Sequence, residues 1–243
     1  MSDKKISKSV SLVALLIFST LTTMLVIPSS TAAGINQTTA GTLNGQETWS
    51  GTHTLTDNVT VAPGATLVVS AGATINIPFG KYIDVRGAIC VASKTCGASS
   101  DGSSSTMTTF AWDLPTDYTI RGDCVISIDA ACGSGMVIRN TIDQSKTGLN
   151  FVEFENAFGF EIAVNTLNGL DAKYGALVFD GPQTFANGLK FTNVNSSNII
   201  LVDLANPTIT SSEFSLGVDA YSIGKRSEIS AYGAGSGIPN TFS

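Results

Sequence analysis

Carboxylates are the side chains of this sequence best suited to chemistry, because paired Asp or Glu residues can act as general acid and base. The 243 residues contain no Asp-Asp or Asp-x-Asp pair. Carboxylates from distant segments could still converge if the chain folds as a coil, and the sequence offers two such sets. They are Asp84, Asp123, Asp129 and Asp143, and Glu153, Glu155 and Asp171. The alternative is that all of these are scattered, solvated groups of an acidic protein.

Other catalytic sites have recognisable spacings that the sequence lacks. The glycine-rich run at 233–237 does not have the spacing of a nucleophile elbow. Gly80-Lys81 is followed by Tyr82, not by the hydroxyl residue of a phosphate-binding loop. The single histidine, His53, would have to serve any His-dependent triad, and we expect it to be a surface or capping residue instead. We therefore predict no catalytic residue and no metal site.

A carbohydrate contact is predicted where aromatic and acidic residues lie together, in segment 111–118. The candidate residues are Trp112, Asp113, Asp117 and Tyr118. They follow a Ser- and Gly-rich stretch that is typical of a loop, and long loops on rigid scaffolds often carry function. The alternative is an excursion without a binding role, held down by disulfides.

Four cysteines form two pairs that are close in sequence: Cys90 with Cys96, and Cys124 with Cys132. Four cysteines allow three connectivities, and we favour the local one, in which each bridge closes a short loop. A metal site is disfavoured because there is no Cys-x-x-Cys and because His53 is distant in sequence. Disulfides fit an exported protein.

Charge and composition exclude several classes of protein. Lys and Arg number 13 against 19 Asp and Glu, so the net charge is −6. Binding to nucleic acid through the phosphate backbone needs clustered Lys and Arg, and we predict no nucleic-acid partner. Hydrophobic residues make up 43% of the chain, which argues against disorder. The many Gly, Ser and Thr residues favour short strands joined by turns.

The N-terminus has the three-part layout of a secretory signal. Lys4, Lys5 and Lys8 precede an apolar run at 10–27, and small residues lead to Ala33. The apolar run is also near the lower limit for a membrane span, so 1–33 is either a cleaved signal or an N-terminal membrane anchor. In both cases we expect the rest of the chain to be secreted or at the cell surface, with membrane contact only through this segment.

The strongest pattern lies between residues 55 and 91. Apolar residues occur in pairs with the strand period of two, and the pairs recur after 8, 8, 8 and 6 residues. Gly64, Gly72 and Gly80 fall between the pairs, where glycine suits a tight bend. The pairs are Val59/Val61, Leu67/Val69, Ile75/Ile77, Ile83/Val85 and Ile89/Val91. The pattern fits an antiparallel meander, or a coil of parallel strands with three strands, and 24 residues, in one turn.

A weaker repeat in the second half favours the coil. Segments 147–154 and 187–194 share Gly-Leu-x-Phe and lie 40 residues apart. A third segment, 206–214, follows 20 residues later in the same phase. We interpret this as solenoid repetition with a period near 20, in which one turn is skipped between the first two segments.

The stretch Val59-Thr-Val-Ala-Pro-Gly-Ala-Thr-Leu-Val-Val-Ser-Ala-Gly-Ala-Thr-Ile-Asn-Ile77 resembles the opening turns of right-handed parallel β-helix proteins of the pectate-lyase-like superfamily. The resemblance implies an all-β, right-handed parallel β-helix over about residues 50–220 and says little about activity, since that superfamily spans lyases, hydrolases, adhesins and surface proteins. Lyases of this fold use carboxylate-bound calcium and a basic residue, so calcium is expected only if the chain is a lyase. No other cofactor is expected.

The predicted organisation has five parts. They are a signal or anchor at 1–33, an N-terminal cap with Trp49 at 34–50, a parallel β-helix (solenoid) at 51–223, a Ser/Gly-rich disulfide-bearing loop within it at 92–123, and a polar glycine-rich tail at 224–243.

Three functional hypotheses follow. The first is a non-enzymatic cell-surface protein with a structural or adhesive role, whose partners are an extracellular polysaccharide or other surface components. The second is an extracellular polysaccharide lyase or hydrolase. That enzyme would need two carboxylates and a basic residue converging from adjacent turns, flanked by Trp112 or Tyr118. The third is a module of a larger surface assembly.

Overall fold

The computed structural model describes residues 37–93, 101–114, 134–139, 147–166, 169–180, 185–194, 196–202, 208–214, 229–231 and 241–242. The regular structure in these ranges is all β-strand. No helix within them is long and apolar enough to cross a membrane. The predicted signal or anchor at 1–33 lies outside these ranges.

Nineteen strands are described, most of them three to eight residues long. In chain order they are β1 Gly41–Leu43, β2 Gln46–Trp49, β3 Thr52–Thr54, β4 Val59–Val61, β5 Thr66–Val69, β6 Thr74–Ile77, β7 Ile83–Val85, β8 Ala88–Val91, β9 Thr108–Trp112, β10 Met136–Arg139, β11 Gly148–Glu155, β12 Phe160–Thr166, β13 Gly169–Asp180, β14 Phe185–Thr192, β15 Ser197–Val202, β16 Thr208–Thr210, β17 Glu213–Phe214, β18 Ile229–Ala231 and β19 Thr241–Phe242.

The strands stack into three parallel ladders. The first is β1-β4-β7-β10-β13-β15-β18 and the second is β2-β5-β8-β11-β14-β16-β19. The third is β3-β6-β9, continued by the later halves of β11 and β14 and by β17. The chain visits the three ladders in turn and then starts again one layer further on. This architecture confirms the prediction of an all-β parallel β-helix.

The predicted turn of 24 residues is seen at the start of the coil. Asn58 and Tyr82, 24 residues apart, lie in neighbouring turns, and the Tyr82 amide donates to Asn58 Oδ1 over 3.0 Å. Gly64, Gly72 and Gly80 have φ of 83°, 74° and 75°, a region that side chains rarely adopt. Glycine at these positions therefore makes the corners between strands, as the sequence pattern predicts.

Aromatic rings fill the interior behind the third ladder. Phe110, Phe154 and Phe191 lie at equivalent positions of successive turns and are fully buried. The ring centroid of Phe154 lies 5.9 Å from that of Phe110 and 5.3 Å from that of Phe191, and both pairs are stacked. Trp112 stacks on Phe154 at 6.3 Å. We call these four residues the aromatic stack.

The boundaries of the coil differ from those predicted at three places. The ladders begin at Gly41, inside the predicted cap, because Leu43 and Trp49 are buried inward-facing residues that pair with the next turn. The strand β9 lies inside the predicted loop at 92–123, because Thr108 and Phe110 alternate with partly exposed residues. Two strands, β18 and β19, lie inside the predicted tail and extend the first two ladders.

The repeat in the second half was predicted with the wrong phase. Val152 pairs with Leu189 in the strands β11 and β14, so these segments occupy adjacent turns and no turn is skipped between them. The additional residues form an antiparallel hairpin of β12 and β13, in which Phe160 lies opposite Gly175. An insertion of this kind adds length to one turn without changing the ladders.

The hairpin covers part of the outer surface of the first ladder. Phe160 packs against a small apolar cluster formed by Val137, Val178 and Ile200. The hydroxyl of Tyr174 donates to Glu161 Oε2 across the hairpin over 3.0 Å. Burial and this bond raise the pKa of Tyr174 to about 12, so its phenol remains a neutral donor at ordinary pH.

Candidate functional site

The outward side chains of the third ladder form two parallel columns of polar groups. They alternate along each strand with buried residues such as Ile75 and Phe154, because successive strand residues point to opposite faces. We call this surface the polar face. Its first column is Thr52, Thr74, Thr109, Glu153, Lys190 and Glu213, and its second is Thr54, Asn76, Ala111, Glu155 and Thr192.

Contacts between turns hold the charged part of the polar face in place. Glu153 Oε1 lies 3.0 Å from Lys190 Nζ and accepts a 2.7 Å hydrogen bond from the Thr192 hydroxyl. The hydrogen bond to Glu153 is the main cause that raises the pKa of Lys190, and the charges of Glu213 and Glu155 add to it. Lys190 therefore stays an ammonium donor among three carboxylates.

The polar face changes character along the ladder. Its first turns present hydroxyl and amide groups, and Asn76 Nδ2 lies 3.4 Å from Thr54 Oγ1. Its later turns present carboxylates and one amine. Hydroxyls both donate and accept hydrogen bonds, carboxylates accept them, and an ammonium donates them. The surface can thus bind a neutral polar chain along its length.

A second cluster of charges ties three turns of the first ladder together. Asp84, which is nearly buried, receives Arg86 Nε on Oδ2 and Arg139 Nε on Oδ1, each over 2.9 Å. Arg139 also donates through NH1 to Asp180 Oδ2 over 2.7 Å. We call Asp84, Arg86, Arg139 and Asp180 the arginine–aspartate network.

The arginine–aspartate network is built for cohesion between turns. Both oxygens of Asp84 accept charge-assisted hydrogen bonds from guanidinium groups, which keep the carboxylate ionised and oriented. The Arg139 guanidinium also lies 5.9 Å from the centre of the Phe160 ring. Two positive and two negative charges balance within the network, so it links β7, β10 and β13 without leaving a strong net field.

The predicted carbohydrate contacts are placed differently from expectation. Trp112 is 1% exposed, and its indole nitrogen donates to the Lys81 carbonyl oxygen over 2.8 Å. It belongs to the aromatic stack and has no face left for a sugar, which removes it from the contact set. Asp113 is exposed directly after β9. Asp117 and Tyr118 lie outside the described residues.

The two predicted carboxylate sets are only partly brought together. Glu153 and Glu155 share the polar face, while the side chain of Asp171 is outside the described part of the structure. Asp84 meets arginines, and Asp123, Asp129 and Asp143 are not among the residues described. Lys190 and Arg139 were missed as partners because nothing in the local sequence specifies which strands become neighbours.

The predicted disulfides concern Cys90 and three cysteines outside the described residues. Cys90 is buried in β8. Cys96, Cys124 and Cys132 fall within the undescribed ranges, so the pairing stays a prediction.

Metal binding and similarity to known proteins complete the description of the site. Among the described residues, no three His, Cys, Asp or Glu side chains are grouped so that they could hold a metal ion. Side chains of the polar face and of the arginine–aspartate network instead bind one another. Comparison of the chain with protein-family models, curated proteins and solved structures finds no match.

Proposed function

We propose that this protein is an exported cell-surface protein that binds an extracellular glycan on its polar face. The observation that supports the proposal is the parallel register of the polar side chains. Adjacent strands of a sheet lie about 4.8 Å apart, so the register repeats donors and acceptors at a fixed interval. A polysaccharide chain presents its hydroxyl groups as a repeating series. A repeating series of fixed partners is the complement of such a chain.

Pre-organisation is the second argument for binding at the polar face. Glu153 is held by Lys190 and by Thr192 before any ligand arrives. The column positions are set by strand pairing, not by mobile loops. Side chains that are already ordered lose less conformational entropy when they bind, which favours affinity.

Export and superfamily membership belong to the same proposal. The three-part layout of residues 1–33 supports export, either as a secreted protein or with this segment as an anchor. The resemblance of residues 59–77 to the first turns of pectate-lyase-like proteins supports membership of that superfamily, in a non-catalytic surface role. The parallel coil is compatible with this membership.

A second candidate function is polysaccharide cleavage, and one observation favours it. Glu153, Lys190 and Glu213 come from three successive turns and present two carboxylates and an amine on one surface. This is the combination that the enzymatic hypothesis requires. Calcium would be needed only if the reaction were that of a lyase.

The test is a binding assay with two lysine variants. We expect the purified protein to bind at least one member of a panel of neutral and acidic polysaccharides in affinity electrophoresis. Lys190→Met is expected to weaken that binding by roughly tenfold or more, because a charge-assisted hydrogen bond contributes about 1.5–3 kcal/mol.

Lys81→Met is the matched control, since Lys81 forms a 2.8 Å ion pair with Asp57 between neighbouring turns of the first part of the coil, away from the polar face. Equal loss of binding in both variants, or no binding to any polysaccharide, would contradict the proposal. The same mixtures are assayed with and without calcium for unsaturated products and new reducing ends, whose appearance would establish the enzymatic alternative.

A further inference from the structure

His53 occupies a position that is apolar in every following turn whose side chain is described. It points into the coil from β3 and is 5% exposed. The equivalent residues of the next two turns are Ile75 and Phe110. Glu47 is similar, because it lies on β2 opposite the buried Leu67. Two ionisable side chains thus replace core residues at the end of the coil.

Both ionisable residues bind the segment that crosses this end of the coil, Gln37 and Thr38, which we call the end segment. The ring nitrogens of His53 lie 3.0 Å from the Thr38 carbonyl oxygen and 2.9 Å from Gln37 Oε1. Glu47 accepts hydrogen bonds from the Thr38 amide and from the Thr38 hydroxyl. The end segment is therefore held by one imidazole and one carboxylate.

The orientation of the Gln37 amide determines how many protons His53 needs. Gln37 Nε2 donates to the Thr48 carbonyl oxygen over 2.9 Å. A carbonyl oxygen can only accept, so the amide nitrogen must face Thr48 and the amide oxygen must face His53. Both ring nitrogens of His53 consequently face acceptors. A neutral imidazole carries one N–H, and only the imidazolium satisfies both contacts.

The surroundings of His53 favour the imidazolium. The ring stacks on Trp49, with centroids 4.4 Å apart, and the face of an indole attracts a cation. Trp49 Nε1 donates to Glu47 Oε1 over 2.7 Å, which places a carboxylate on the far side of that ring. Among the described elements that pack against His53, Glu47 is the titratable group, since the end segment and β6 carry none.

We propose that His53 is a proton-dependent latch that closes the end segment over Trp49 and the end of the coil. With a proton on both nitrogens, His53 binds Thr38 and Gln37 at once. When the pH rises through the titration of His53, one of the two acceptors loses its donor and the end segment is released. Strong acid also opens the latch, because protonated Glu47 no longer accepts all of its hydrogen bonds. Docking is therefore tightest at an intermediate pH.

The first test uses the fact that His53 is the single histidine of the chain. In protein labelled with ¹⁵N-histidine, NMR shows one pair of ring nitrogens and reports the protonation of each. We expect two protonated nitrogens, with hydrogen bonds to Gln37 and Thr38, under the conditions in which the end segment is docked. A neutral tautomer with one bare nitrogen in the docked protein would overturn the proposal.

The second test follows the latch itself through hydrogen exchange of the Thr38 amide. Protection relative to the intrinsic exchange rate is expected to fall roughly tenfold or more as His53 loses its second proton. In Gln37→Leu the acceptor at Nδ1 is gone and a neutral ring suffices, so this step is expected to disappear. Gln46→Leu, the same change at an exposed site on β2, is expected to keep it. Protection that does not depend on pH in the unaltered protein would refute the latch.

Discussion

Replacing Phe154 with alanine is expected to lower the free energy of unfolding by about 3–5 kcal/mol, the usual range for a buried Phe-to-Ala change. Phe154 is fully buried and stacks on three other rings, those of Phe110, Trp112 and Phe191. Its removal leaves a cavity between turns whose backbone is fixed by the ladders and cannot collapse. Denaturant unfolding followed by circular dichroism measures the loss.

The matched control for this variant is Phe158→Ala. Phe158 is half-buried and meets Phe79 edge to face at 5.1 Å, outside the aromatic stack. Its removal exposes a site that water can fill, and we expect a loss of about 1–1.5 kcal/mol. Equal losses for the two variants would show that the interior position of Phe154 has been wrongly assigned.

Asp84→Asn is expected to give the second large effect, a loss of about 2–3 kcal/mol in the free energy of unfolding. The substitution keeps the shape of the side chain but removes the charge that binds Arg86 and Arg139, and it sets an amide nitrogen against a guanidinium. Removing one partner of a buried ion pair costs about 3–5 kcal/mol, and the partial exposure of both arginines reduces this value. Chemical denaturation at low and high salt measures the effect.

Asp57→Asn provides the comparison for Asp84→Asn. Asp57 also pairs with a cation across turns, but it is largely exposed, and the hydrogen bond from Lys81 holds its pKa below the ordinary value only in the presence of screening water. We expect a small loss that disappears at high salt, whereas the loss in Asp84→Asn persists. An Asp84 variant as stable as the parent would show that the arginine–aspartate network does not hold the turns together.

The first turns of the coil could be predicted because their sequence repeats every structural requirement. Between Val59 and Val91, alternate residues are apolar, strands are short, and Gly64 and Gly72 mark the corners. Strand period, turn chemistry and repeat length all point to one architecture there. Beyond Val91 the corners carry insertions, and the strand pattern holds no record of how long an insertion is.

The polar face illustrates what the phase error concealed. The repeat of 40 residues would place Glu153 opposite Asn193, whereas the strands β11 and β14 pair it with Lys190. The length of the β12–β13 hairpin decides between these registers, and that length is a property of the insertion. Glu153 and Glu155 could be chosen as candidates from their spacing, but the amine between them could not.

Trp112 was misinterpreted for a different reason. Its Ser- and Gly-rich neighbours indicate a loop, and aromatic residues in loops are typical of carbohydrate contacts. The alternation of Thr108, Phe110 and Trp112 is the competing signal, and it has the period of a strand with one buried face. Burial of all three shows that periodicity outweighs the composition of the flanking segment.

The parallel ladders give the molecule nearest-neighbour cooperativity. Each turn pairs with the turn before it and the turn after it, so an internal turn has two stabilising interfaces and the turn of β1, β2 and β3 has one among the described strands. Opening is then expected to proceed by unzipping from a terminus, with amide protection rising layer by layer toward the middle. The free energy holding that first layer, and not the sum over the molecule, sets how often the β-helix begins to unravel.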